Sequence, residues 1–135
     1  MKTMDEARKA LSAARQRYLD DLEWLRREYG IIPDVESYSV KAALLAALDA
    51  LEKNDLASLE TAVGSFSALH NQVMRYVVWD LLERTKIGIK SLRKSDPTRK
   101  AKIEQWNKAC WEKHPWITKG DFSKYRETVQ MLARL

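Results

Sequence analysis

The positions of apolar residues along the chain predict helices through most of its length. In the first segment, apolar residues recur at steps of three and four, which is the period of one helical face. Gly30 and Pro33 follow the last of them and mark a stop. The pattern therefore predicts a first helix over 4–29, whose apolar stripe consists of Leu11, Ala14, Tyr18, Leu22, Leu25 and Tyr29.

The second segment keeps the helical period. It predicts a helix over 38–53, with Ser37 or Ser39 as the N-cap. The many alanines of this segment predict a central helix, because small side chains let neighbouring helices approach closely. The predicted buried stripe consists of Val40, Leu44, Leu48 and Leu51.

A third helix is predicted to be the longest. Asn54 and Asp55 offer an N-cap, and no proline occurs from Leu56 to about Leu92. Gly64 lies within this stretch and either kinks the helix or divides it. The periodic apolar positions continue past Gly64, so one long helix or two shorter ones follow from the pattern.

Two further helices are predicted after residues that are typical of a helix N-terminus. Asp96 can cap a helix, and Pro97 suits the first helical position, where its missing N–H costs nothing. A fourth helix is expected over 97–113, and a fifth begins near Asp121 or Phe122. The predicted fold class is all-α, an antiparallel bundle of about five helices with a basic C-terminal helical hairpin.

The length of 135 residues fits a single domain. Within it, the pattern predicts a main bundle over 1–94 and a basic, tryptophan-rich helical hairpin over 95–135. The chain also becomes more basic near the predicted start of the fourth helix, which supports a subdomain boundary at that point.

The uneven distribution of charge along the chain is the first indication of function. Residues 1–83 contain 10 Lys/Arg and 14 Asp/Glu, whereas residues 84–135 contain 14 Lys/Arg and 5 Asp/Glu. The net charges are therefore −4 and +9. Three of the five tryptophans, Trp106, Trp111 and Trp116, lie in the basic stretch. A basic segment with interspersed aromatic residues predicts a polyanionic partner.

The candidate contacts to nucleic acid come from this basic stretch. Lys86, Lys90 and Arg93 fall on one face of the long helix, and Trp106 is expected in the core. Trp111 and Trp116 either stack on bases or pack against the bundle, and the cations either bind phosphates or form a solvated surface. The full candidate set is Lys86, Lys90, Arg93, Lys94, Arg99, Lys100, Lys102, Lys108, Trp111, Lys113, Trp116, Lys119, Lys124 and Arg126.

The sequence predicts no catalytic residue, no metal site and no cofactor. Cys110 and His114 have the i, i+4 spacing of two helical metal ligands, but a zinc site needs three or four. His70 lies on a helical stripe and reads as a core or boundary residue, as does Trp79. Phosphate-binding glycine loops and metalloprotease motifs are absent from the sequence. The protein is therefore expected not to be an enzyme.

Two functional hypotheses follow. The first is a non-enzymatic nucleic-acid-binding protein, an accessory subunit of a nucleoprotein complex, that contacts the DNA or RNA backbone with little sequence specificity. The alternative is a protein–protein interaction module (an adaptor, inhibitor or immunity-type protein) that docks an acidic partner. The N-terminal sequence lacks a secretory signal, and no apolar run is long enough to span a membrane, so a cytoplasmic location is expected. Self-association remains open under either hypothesis.

Overall fold

A computed structural model of the chain describes residues 3–34, 39–109 and 122–135. The prediction of an all-α helical bundle is confirmed: the described residues form five helices and contain no β-strand. None of these helices has the length and the apolar composition that crossing a lipid bilayer requires. The helices are α1 (Met4–Tyr29), α2 (Val40–Glu52), α3 (Leu56–Lys90), α4 (Arg99–Ala109) and α5 (Phe122–Ala133).

The end of α1 and the start of α3 follow the predicted signals, and Thr3 adds a cap to α1 that was not predicted. Thr3 caps α1, because its hydroxyl accepts a hydrogen bond from the Glu6 N–H at 3.1 Å. Gly30 ends α1 with a φ of 64°, a left-handed conformation that glycine adopts without steric cost. Asp55 precedes α3 and accepts a hydrogen bond from the Ser58 N–H at 3.2 Å. Helix α3 continues through Gly64 without interruption, which excludes its predicted division there.

The chain divides into two compact units, Met1–Val73 and Met74–Leu135, with the boundary inside α3. The predicted subdivision into 1–94 and 95–135 stays a prediction. In the first unit, small and large apolar side chains from α1, α2 and α3 form two buried clusters. One cluster contains Ala7, Leu11, Ala47, Ala50, Leu59, Ala62 and Val63, and the other contains Ala14, Tyr18, Val40, Phe66 and Val73.

Helix α2 buries only part of the predicted stripe. Val40 is buried and Leu44 and Leu51 pack against the apolar clusters, as predicted. Ala47 and Ala50 are buried as well, while the side chain of Leu48 is 49% exposed. The physical reason is that α2 meets alanines of the neighbouring helices, so close backbone approach replaces the packing of leucines. Ser39 occupies the N-cap position, but its side chain makes no cap hydrogen bond. The prediction of a central α2 is therefore wrong, since one side of it stays exposed.

In the second unit, α4 and α5 contact each other. Apolar side chains from the C-terminal part of α3, from α4 and from α5 are buried, and Tyr125 is the largest of the fully buried ones. The buried apolar residues of this unit are Met74, Val77, Val78, Leu82, Ile89, Ala109, Tyr125, Val129 and Leu132.

Candidate nucleic-acid interface

The C-terminal end of α3 places two lysines on one face. Lys86 and Lys90 are four residues apart, so both project from the same side of the helix. Ile89, one position before Lys90, is 6% exposed and anchors this turn in the interior. The helix ends directly after Lys90, where the Ser91 hydroxyl donates a hydrogen bond to the Ile87 carbonyl at 2.9 Å. The end of α3 is thus a fixed platform for two cations.

A tight turn around Asp96 sets the start of α4. The Asp96 carboxylate accepts hydrogen bonds from the Thr98 hydroxyl at 2.6 Å and the Thr98 N–H at 2.8 Å. These hydrogen bonds, the one from the hydroxyl foremost, hold the pKa of Asp96 below its usual value. Pro97 lies in the turn, and α4 begins at Arg99, so the prediction of Pro97 as the first helical residue is wrong. The turn delivers Arg99 at the first position of α4.

Trp106 ties α4 to α3. Its indole Nε1–H donates a hydrogen bond to the Leu82 carbonyl oxygen at 2.8 Å. The ammonium of Lys86 lies 5.7 Å from the centroid of the same indole ring, within the range of a cation–π contact. The ring is half-buried, so the prediction that Trp106 lies in the core is wrong. The reason is its polar edge, which reaches the α3 backbone while part of the ring remains accessible.

These elements enclose a cleft of about 230 Å³ between α3 and α4. Its walls combine apolar side chains with three cationic ones and one amide. The lining residues are Lys86, Ile89, Lys90, Arg99, Ile103, Trp106 and Asn107.

The cations of the cleft have no acidic partner in the described part of the chain. Ion pairs of this unit within 4 Å join Arg84 to Asp80 and Lys124 to Glu127, and none of those described includes Lys86, Lys90 or Arg99. The Nε atom of Arg99 is buried and meets no hydrogen-bond acceptor among the described residues. A buried donor without an acceptor is unfavourable, so this group favours a ligand that supplies an oxygen.

The structure brings three of the predicted contact residues together and leaves the others elsewhere. Lys86, Lys90 and Arg99 share the cleft. Arg93 and Lys94 lie exposed in the turn between the two helices. The prediction of Arg93 on the helical face of Lys86 and Lys90 is therefore wrong, because α3 ends at Lys90. The remaining described candidates lie outside the cleft lining, on α4 (Lys100, Lys102, Lys108) and on α5 (Lys124, Arg126). Trp111, Lys113, Trp116 and Lys119 lie outside the described residues, as do Cys110 and His114.

Sequence reasoning missed the uncharged half of the cleft. Ile103, Trp106 and Asn107 were not predicted as contact residues, although Trp106 and Asn107 follow Ile103 by three and four residues, which places both next to it on the helix surface. Arg99 is four residues before Ile103 and continues the same face. A cation at the start of such a face, followed by an aromatic residue two turns later, was the available signal.

A second aromatic group of α3 is more exposed than Trp106. The rings of Tyr76 and Trp79 contact edge to face with centroids 5.2 Å apart. Their side chains are 50% and 44% exposed, respectively. The prediction of Trp79 as a core or boundary residue is therefore wrong, because the apolar face of α3 in this unit runs through Val77 and Val78 instead.

The first unit holds a buried polar pair. His70 Nε2 lies 2.9 Å from Asp21 Oδ2, and both side chains are only 2% exposed. The Tyr18 ring packs edge-on against His70 at 5.1 Å and against Phe66 at 5.3 Å. Neither His70 nor Asp21 lines a described cavity, and the burial of both side chains places the pair in the core of the first unit.

Comparison with other proteins adds no assignment. The chain matches no known protein family, no curated protein and no solved structure. Within the described ranges, no group of three or more His, Cys, Asp or Glu side chains is placed to hold a metal ion. The geometry and the charge of the cleft are therefore the features that bear on function.

Proposed function

We propose that the protein is a non-enzymatic nucleic-acid-binding protein whose cations at the end of α3 and the start of α4 contact the sugar–phosphate backbone. The observation that carries this proposal is the convergence of Lys86, Lys90 and Arg99 on one cleft, with no carboxylate of the described residues paired to any of them. Neighbouring like charges repel one another, and a polyanion removes that repulsion when it binds.

The proposed contacts are to phosphates, which position a ligand without reading its sequence. Arg93, Lys94 and Lys100 are exposed close to the cleft in sequence and extend the positive charge around the turn. A backbone-binding surface of this kind suits an accessory subunit of a nucleoprotein complex, because such a subunit need not choose a target sequence. DNA and RNA are both candidate ligands under this proposal.

The test is the salt dependence of binding. The purified full chain is titrated against labelled single-stranded and duplex DNA and RNA over a series of salt concentrations. Each phosphate contact contributes a slope of about −0.9 for a duplex, or about −0.7 for a single strand, in a plot of log K against log salt. The variant Lys86→Gln, Lys90→Gln, Arg99→Gln should bind more weakly and lose about 2 from the magnitude of this slope.

A matched control removes the same charge from the first unit. Lys9, Arg15 and Lys41 are exposed and form no ion pair within the described residues, so Lys9→Gln, Arg15→Gln, Lys41→Gln lowers the net charge equally. We expect this control to keep the wild-type slope. Equal losses in the two triple variants would mean that net charge alone drives binding. Salt-insensitive or absent binding in the wild type would reject the proposal in favour of an acidic protein partner.

A further inference from the structure

We propose that the cleft between α3 and α4 accepts one unpaired nucleotide, so that single-stranded nucleic acid is the preferred ligand. This inference rests on the proposed function and adds to it the form of the ligand. It is drawn from the composition, the size and the unmet hydrogen-bonding capacity of the cleft rather than from its charge alone.

The composition of the cleft fits the two halves of a nucleotide. Ile89, Ile103 and the Trp106 ring offer an apolar surface for a flat base. Lys86, Lys90 and Arg99 offer positive charge for the phosphate beside that base. A purely electrostatic surface would have no need of the apolar half.

The orientation of the Trp106 ring is fixed before a base binds. Its hydrogen bond to the Leu82 carbonyl at 2.8 Å fixes the ring relative to α3, so little freedom is lost when a base packs on it. Lys86 lies 5.7 Å from the ring centroid, which places a cation next to the π surface. Aromatic rings beside cations are the common means by which proteins hold single strands.

Arg99 supplies a donor that lacks an acceptor. Its Nε is buried and makes no hydrogen bond to any described residue, although the guanidinium is made to bind oxygen pairs. A phosphate oxygen within the cleft would accept from this donor and offset the cost of burying it. The position of Arg99 at the first residue of α4 adds the positive end of the helix dipole to the same place.

The cleft can receive a base only when that base is unpaired. Its volume of about 230 Å³ is below the range of roughly 300–1,000 Å³ that is usual for drug-sized ligands, so the base would enter it while the sugar and phosphate stay at its rim. In a duplex, each base is stacked on both faces and paired at its edge, so it cannot enter a cleft without being extruded. Unpaired bases are free to leave the strand and pack on protein side chains.

The experiment compares an unpaired strand with an abasic strand of equal phosphate number and with a duplex, which carries twice as many phosphates. The purified full chain is titrated with labelled oligothymidylate, with the same strand annealed to its complement, and with an abasic strand of equal length. We expect oligothymidylate to bind roughly 5- to 150-fold more tightly than the abasic strand, which is the range that one stacked base provides. Binding to the duplex uses its phosphates without a stacked base, so Trp106→Leu should leave the affinity for the duplex unchanged.

Three variants test whether the base packs in the cleft. Trp106→Leu should lose the preference for bases while keeping the affinity for the abasic strand. Ile103→Trp keeps Trp106 but fills the cleft, so it should lose the same preference even if Trp106→Leu is poorly folded. The matched control is Trp79→Leu. Trp79 is the tryptophan of α3, lies outside the cleft and is more exposed than Trp106, so this variant should keep the preference for strands that carry bases. Circular dichroism verifies the helical content of each variant.

The outcomes separate this inference from the proposed function. Equal affinity of the wild type for oligothymidylate and the abasic strand would overturn the cleft as a base site while leaving backbone binding intact. Loss of the base preference in Trp79→Leu, with retention in Ile103→Trp, would also overturn it and move the contact to the exposed aromatic pair. Absence of salt-dependent binding to any strand, with tight binding of polyglutamate instead, would reject both proposals.

Discussion

In the first unit, His70 and Asp21 meet inside the core, whereas in the second unit Lys86, Lys90 and Arg99 meet at a cleft without an acid between them. Some exposed charges of the first unit also pair with neighbours along the chain, as Arg84–Asp80 and Lys124–Glu127 do in the second unit. The ion pairs of the first unit are Arg8–Asp5, Arg26–Glu23, Arg27–Glu28 and Lys53–Asp49. The difference teaches that the buried pair of the first unit is satisfied inside the protein, whereas the cleft cations of the second unit have no acidic partner among the described residues.

The consequences for stability differ accordingly. A buried polar pair is costly to break, because the remaining partner keeps its burial and loses its hydrogen bond. Exposed ion pairs of the kind found on α1 contribute little, since water screens them. Unpaired cations at a cleft cost some stability through mutual repulsion, and this cost is removed when an anion binds. The following changes test each side of this contrast.

The largest effect is expected from the buried pair. Asp21→Ala removes the partner that lies 2.9 Å from His70 Nε2 and leaves a cavity in the core. We expect a loss of about 3 kcal/mol in the free energy of unfolding, measured by urea denaturation. The adjacent Asp20→Ala is the matched control. Asp20 is exposed and accepts a hydrogen bond only from the neighbouring Gln16 side chain in the contacts described, so its loss should stay within about 0.5 kcal/mol.

Equal destabilisation by the two aspartate variants would contradict the contrast. It would mean that the His70–Asp21 contact adds nothing beyond a surface hydrogen bond. Neither variant should change the affinity for nucleic acid, because the pair belongs to the first unit and lines no described cavity. A change in affinity would show that the two units do not act separately in binding.

A smaller effect is expected when the cleft is given the acid that it lacks. Asn107→Asp introduces a carboxylate among Lys86, Lys90 and Arg99. We expect binding to nucleic acid to weaken roughly tenfold, since one unfavourable charge near the phosphate costs on the order of 1 kcal/mol. The same change should raise the free energy of unfolding by about 0.5 kcal/mol, because the cations gain a partner.

The control for this change lies on the same helix. Gln105 is exposed on α4 and does not line the cleft, so Gln105→Glu adds the same charge at a different face. Its effect on affinity should be clearly smaller, and its effect on stability should be close to zero. If the two variants weaken binding equally, the cleft has no special role and the overall charge of α4 accounts for binding.

The features that could be predicted from the sequence are the local ones. Helix positions and their ends follow local patterns, so α1, α3 and the cap at Asp55 were predictable from spacing and residue type. The shared face of Lys86 and Lys90 was predictable for the same reason. These features depend on residues within a few positions of one another along the chain.

The remaining features depend on how distant helices meet. His70 and Asp21 are 49 residues apart, and no local signal couples them. Trp106 and Leu82 are 24 residues apart, and the turn between α3 and α4 decides whether their helices converge. The half-exposure of Trp106 and the burial of Ala47 in place of Leu48 follow from helix packing, which periodicity alone does not determine.

The smallest effect tests whether the turn that positions Arg99 matters for binding. Asp96→Ala removes the hydrogen bonds from Thr98 that hold the start of α4, and Asp96→Asn removes the same charge while keeping an acceptor oxygen. We expect the alanine variant to bind a single strand more weakly than the asparagine variant by a small factor. Asp55→Ala removes the corresponding cap of α3 in the first unit and should leave binding unchanged.

The lowered pKa of Asp96 predicts how the stability of the turn changes with pH. The Thr98 hydrogen bonds favour the ionised carboxylate, so the pKa of Asp96 in the folded protein lies below the ordinary value of 3.8. Stability from a lowered pKa is present above the ordinary value and is lost as the pH falls through the folded-state pKa. The advantage of the wild type over Asp96→Ala in thermal melting should therefore hold at neutral pH and shrink in acid. An advantage that persists in acid would mean that the charge of the Asp96 carboxylate does not hold the turn.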